Sequence, residues 1–119
     1  MKRMLYVVTS GIDMPRMLYL PLILAEDALE RGWEVSLFFV MRGVVALKKE
    51  EAEKIKVEKM QRFDDYVSAL MAKGVKFYAQ HRAIEIFDLF EPDFLKGVEV
   101  RSGRDLNELV FEMDKVMYF

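Results

Sequence analysis

The chain contains no cysteine, one histidine, one tryptophan, three prolines and six glycines in 119 residues. Without a thiol there can be no disulfide framework, cysteine zinc site, iron–sulfur cluster or cysteine nucleophile. The lone histidine, His81, cannot make a histidine-based metal site by itself. A Ser-His-Asp triad would rest on that one residue, so neither a metal nor a cofactor is expected. No long hydrophobic run is present. The longest is nine residues, Met17 to Ala25, interrupted by Pro21, whereas a bilayer span needs about twenty. No sign of charge dominates: the formal net charge is −2, with acids and bases mixed throughout. That removes the electrostatic footing of a nucleic-acid binder, which usually needs a basic face. The first apolar run follows Met1 almost at once, leaving no space for a signal peptide, and the expectation is a cytoplasmic protein.

What is present is apolar. Hydrophobic residues make up 53% of the chain, too many for a disordered tail, and the length suits one domain over residues 1–119. Met4 to Thr9 is short, apolar and β-branched, and reads as a strand buried on both faces. Ser10-Gly11-Ile12-Asp13 interrupts it. A helix follows, with Asp13 as its expected cap, Pro15 in the first turn, Leu20, Ile23, Leu24 and Ala28 at helical spacing, and Gly32 as its stop. Pro21 predicts either a kink or a helix that starts near Leu20. Trp33 to Val40 is the second strand, and Val44 to about Lys49 a short helix. The charged stretch Lys48 to Lys59 reads as a solvated helix extension or loop.

Gln61 to Lys73 is the clearest helix, with Phe63, Tyr66, Val67, Leu70 and Met71 on one face and Gly74 after it. Val75 to Ala79 and Val98 to Arg101 are the third and fourth strands. Ser102 and Asp105 stand at capping-box spacing before Leu106, Leu109, Val110 and Met113, and Lys115 to Phe119 is the fifth strand. Strands alternating with amphipathic helices predict crossover connections and an α/β fold with a parallel sheet.

In such a sheet ligands bind beyond the carboxyl ends of the strands. The candidates there are Ser10 and Gly11 after the first strand, Arg42 and Gly43 after the second, and Gln80, His81 and Arg82 after the third. Ser10 and Gly11 can present backbone N–H groups to an anion, or form a plain tight turn; no phosphate-loop motif is present. Arg42 can grip a carboxylate, phosphate or sulfur oxyanion, or stand as an exposed helix-start arginine. His81 can act as acid, base or donor, with Glu85 one turn on, or sit at a helix start or interface; Arg82 shares those alternatives. Between residues 84 and 94 one short helix carries too many large apolar groups to hide. Ile84, Phe87, Phe90 and Phe94 are therefore candidates for an oligomer contact, with core packing as the alternative.

Taken in order, these segments resemble the DsrE/DsrF-like sulfur-relay family (the DsrEFH and TusBCD type) over essentially the whole chain. The resemblance is carried by the opening strand with Thr9-Ser10-Gly11, by Pro15 and Leu20-Pro21-Leu22, and by Gly32 with the second strand. It continues through Gly43-Val44, Leu47-Lys48-Lys49, Ala52-Glu53-Lys54-Ile55 and Gly74-Val75-Lys76-Phe77-Tyr78. Asp93-Phe94-Leu95-Lys96-Gly97-Val98-Glu99-Val100 and the closing strand complete it. The resemblance implies a three-layer α/β/α fold with a five-strand parallel sheet, and assembly as a homotrimer, a homohexamer or a stack with sister subunits. It also implies a persulfide-bearing cysteine just after the third strand. That position falls at or near Ala79, in Ala79-Gln80-His81-Arg82, and no cysteine is there.

The expected function is a homo-oligomeric, non-catalytic binding or partner subunit, linked indirectly to sulfur relay and not itself a persulfide carrier. Its partners would be copies of itself and a cysteine-bearing sister subunit, with no membrane and no nucleic acid. The alternative is a small-anion-binding protein or cysteine-independent enzyme, with His81 as acid/base, Arg42 or Arg82 as clamp, and Ser10 and the Gly11 backbone as donors. A flavodoxin-like or receiver module fits less well. Thr9-Ser10 stands where a receiver needs an acidic pair, and Ser10-Gly11 is a poor flavin phosphate loop.

Overall fold

The computed structural model describes residues 1–90 and 93–119. Five strands, β1 (Arg3–Val8), β2 (Glu34–Phe39), β3 (Lys76–Gln80), β4 (Glu99–Arg101) and β5 (Lys115–Tyr118), form one sheet in the order β4-β3-β2-β1-β5. Every pairing is parallel, with Tyr6 opposite Leu37 and Met117, and Phe38 opposite Tyr78. Successive side chains of a strand point to opposite faces. Tyr6, Val8, Leu37, Phe39, Phe77 and Ala79 therefore share one face, while Leu5, Val7, Phe38, Val40 and Tyr78 share the other.

Connection handedness decides what covers each face. From β1 to β4 the strands step in one direction, so right-handed crossovers place the intervening helices on one side. These are α1 (Pro15–Glu30), α2 (Lys49–Lys54), α3 (Phe63–Ala72) and α4 (His81–Ile86). The return from β4 to β5 runs the opposite way and carries α5 (Gly103–Glu112) to the other side. Half-buried Leu106, Leu109 and Val110 of α5, with Met113 at its C-cap, pack on Leu5, Val7, Phe38 and Tyr78. This confirms the inner face expected for that helix and gives an α/β fold with an all-parallel five-strand sheet. The capping box at its start is also present: Asp105 N–H donates to Ser102 Oγ at 3.1 Å and Ser102 N–H to Asp105 Oδ2 at 3.2 Å.

Three local expectations are corrected. First, α1 starts at Pro15, not near Leu20, and continues through Pro21, and its N-cap is Met14 rather than Asp13. A turn closed by Met14 N–H on the Gly11 carbonyl (3.0 Å) sets this start, and Pro15 occupies the first helical position, where its missing N–H costs nothing. Pro21 is buried against the core, so tertiary packing holds the helix together despite one lost hydrogen bond. Second, the short helix expected near Val44 is a 3₁₀ segment, Met41–Leu47, with Gly43, Val44, Ala46 and Leu47 buried. The charged stretch after it opens with helix α2, in line with the helix-extension alternative. Third, the surplus apolar groups after β3 divide. Phe94 joins the core and bridges antiparallel to Lys48, Ile84 and Leu89 pack partly against the core, and Ile86, Phe87 and Phe90 stay exposed. Two polar clamps fix the α3 start. Tyr19 OH donates to the Gln61 carbonyl at 2.7 Å, and the Arg62 fork binds both oxygens of buried Asp64 at 2.5 and 2.8 Å.

Candidate functional site

The carboxyl ends of β1, β2, β3 and β5 are tied to one another. Thr9 donates both its N–H and its hydroxyl to the Phe119 carbonyl, each at 2.6 Å. Val40 N–H reaches the Val8 carbonyl at 2.9 Å. Just beyond, Met41 takes a left-handed backbone conformation with φ of 48°, which is strained for a residue with a side chain. Its N–H is held by the Gln80 side-chain oxygen at 2.8 Å, so the end of β2 is pinned to the end of β3.

Gly43 is where the two loops come closest. A Cβ there would stand 2.6 Å from the Val8 carbonyl oxygen and 3.2 Å from that of Ser10. Only glycine fits. This close approach lets the Arg42 stem lie along Gly11, where a Cβ would be 3.2 Å from Arg42 Cγ. The Arg42 guanidinium is exposed and reaches Asp13 Oδ2 at 3.5 Å, while its Nε points to the Thr9 carbonyl at 3.4 Å. Both contacts are long and solvated, so they hold the arginine loosely.

The structure thus sets Ser10, Gly11, Arg42, Gly43 and Gln80 along one edge of the sheet, with Ser10 buried and Arg42 at the surface. His81 and Arg82 lie outside that network as the exposed first residues of α4, which packs against the 3₁₀ segment carrying Arg42. Ala79 is fully buried, on the face covered by α1 and α3. Chemically this edge offers a cation, an amide and backbone donors. Its one buried hydroxyl is that of Ser10, and Asp13 is the carboxylate beside the arginine. Of the four apolar candidates, Phe94 is buried inside its own chain, Ile84 is half-buried, and Phe87 and Phe90 are exposed, Phe90 by 67%.

Strand order adds a position that the residue pattern alone does not disclose. The connection leaving β3 turns to the α1–α4 side, whereas that leaving β4 turns to the α5 side. Neighbouring strands whose connections diverge open a crevice. Arg101 stands there at the end of β4. It lies 5.4 Å over the Tyr78 ring and is paired with Glu99 at 3.0 Å. A groove of about 170 Å³ runs beside it, lined by Tyr78, Arg101, Asp105, Glu108, Leu109 and Glu112. Burial raises the Tyr78 phenol above its usual range, with Glu99 adding to the effect.

Comparison with known proteins gives a fold match and, separately, a family match. Among solved structures, the ychN protein from E. coli matches with a TM-score of 0.77 at 19% identity, covering 100% of both chains. MTH1491, a protein of unknown function from Methanobacterium thermoautotrophicum, matches with a TM-score of 0.73 at 17% identity, over 98% of this chain and 99% of that one. The uncharacterized protein MJ0760 of Methanocaldococcus jannaschii is 25% identical over 95 residues, which are 80% of this chain and 34% of that protein. The chain therefore spans about a third of the length of that relative. The sequence model of the DsrE/DsrF-like family matches residues 2–119, nearly the whole length. This chain belongs to the DsrE/DsrF-like family.

Proposed function

We propose that this chain is a cytoplasmic, self-assembling DsrE-like subunit that works by binding and is not itself a persulfide carrier. The observation that carries the reading is at the end of β3. Where the family resemblance places a sulfur-carrying cysteine, this chain has buried Ala79, followed by Gln80, whose side chain is engaged in holding the Met41 backbone. A thiolate is the nucleophile in persulfide transfer, and no residue here replaces it. Exposed Ile86 at the end of α4, with Phe87 and Phe90 just beyond it, supplies apolar surface for a copy of this chain or a cysteine-bearing sister subunit. Light scattering on the purified chain, alone and mixed with such a sister subunit, tests this. A mass above the monomer in either sample supports it. A monomer in both removes it.

A second reading is favoured by one observation: Arg42 is exposed beside the Gly11 backbone, held only by long contacts. It would bind a small oxyanion there. Calorimetric titration with sulfite and with phosphate, on wild type and on Arg42→Met, tests it. Equal heats for both proteins would remove the reading.

A further inference from the structure

We propose that the outward stripe of α1 is a two-fold contact between copies of this chain. The proposal rests on the self-assembly reading above and assigns it a surface and a symmetry.

Arg16, Leu20, Ile23, Asp27 and Glu30 are spaced four, three, four and three residues apart, so they line one side of α1. All five are exposed, opposite the buried Leu18, Leu22 and Ala25. Leu20 is 39% and Ile23 43% exposed. Single exposed apolar residues are ordinary. The order of chemistry along the stripe is not: a cation, two apolar groups, then two anions.

That order is self-complementary in one arrangement. A second α1 laid antiparallel, with the two-fold axis midway between Leu20 and Ile23, sets each Leu20 against the other copy's Ile23. Arg16 and Asp27 are equidistant from the axis, about 8 Å of helix on either side. Each Arg16 therefore meets the other copy's Asp27, with Glu30 one turn further on. Arg16 and Glu30 make no ion pair among the described residues, and Asp27 pairs only with Arg31 on its own helix. A parallel arrangement would stack Arg16 on Arg16 and acid on acid, so charge selects the antiparallel one. An isologous contact joins copies in pairs. Assemblies built with it have even numbers of subunits, the dimer being the smallest.

Sedimentation equilibrium on the full chain tests this with a charge swap. Arg16→Glu and Asp27→Lys should each weaken the pairing step by about tenfold or more, because each substitution acts twice across the axis. The double variant, with both charges exchanged, should return to within about threefold of wild type. Arg31→Gln removes the same intrahelical pair as Asp27→Lys and should leave the mass unchanged. Leu20→Glu, at the surface and outside the core, should abolish pairing. If the wild type assembles and the single variants match it, or the double is no better than the weaker single, the α1 contact is wrong while self-assembly stands. If the wild type is monomeric, both fall.

Discussion

Replacing Gly43 with alanine should destabilise the protein more than any other glycine-to-alanine change. The added Cβ would lie 2.6 Å from the Val8 carbonyl oxygen, against about 3.4 Å for ordinary contact, so the loop must retreat by about 0.8 Å. That oxygen already accepts from Val40 N–H at 2.9 Å, and both belong to the β1–β2 pair at the centre of the sheet. Overpacking against backbone costs about 1–3 kcal/mol, and a stretched hydrogen bond adds about 1 kcal/mol. The expected loss is about 2–4 kcal/mol, read as a fall of roughly 1–2 M in the urea midpoint. Two other glycines separate the causes. Gly32 has φ of 86° and nothing within 4 Å of its would-be Cβ; Gly32→Ala should cost about 1 kcal/mol from backbone strain alone. Gly103 opens α5 with an unstrained backbone and open space around it; Gly103→Ala should be neutral or gain about 0.5 kcal/mol. A Gly43→Ala midpoint equal to that of Gly103→Ala would refute the close approach of the two loops.

Ser102→Ala removes one arm of the capping box and should cost about 1 kcal/mol, with hydrogen exchange faster along α5 than elsewhere. Gln80→Leu leaves the strained Met41 without its partner and should cost about 1 kcal/mol in denaturant unfolding. Arg42→Met should change stability by less than about 0.5 kcal/mol, since its ion pair is exposed, whereas any oxyanion binding at the edge should vanish in calorimetry. Burial raises the phenol pKa values of Tyr6, Tyr19, Tyr66 and Tyr78 above the usual 10.0. The folded chain therefore holds these protons more tightly than the unfolded one. The stabilisation is complete below pH 10.0 and is lost as pH rises through the higher folded values. Thermal unfolding followed against pH should show a fall on that alkaline side that is less steep in Tyr19→Phe.

The elements were legible because their signals are local. The spacing in α3, the capping box of α5 and the apolar runs of the strands each reside in a few adjacent residues. Boundaries moved where a distant contact outweighed local preference. Asp13 has the chemistry of a cap, yet it sits in the turn and faces Arg42, and helix α1 starts at Pro15. Pro21 survives mid-helix because it is packed against the core. The candidate site was legible only as a location. That Gln80 turns back to hold the Met41 backbone while His81 and Arg82 face solvent depends on side-chain direction. The crevice at Arg101 depends on strand order, which no residue spacing encodes.

The pairing of β5 beside β1 has a consequence for biosynthesis. Arg3 and Asp114, which bond to each other at the start of that pair, lie 111 residues apart. While a ribosome works through the intervening residues, β1 to β4 can already align, but one flank of β1 has no neighbour and Leu5 and Val7 have no α5 above them. The nascent chain must carry an open, apolar sheet edge until its fifth strand emerges. A stall or cleavage ahead of Lys115 would therefore leave a fragment primed to stack strand upon strand with others like itself.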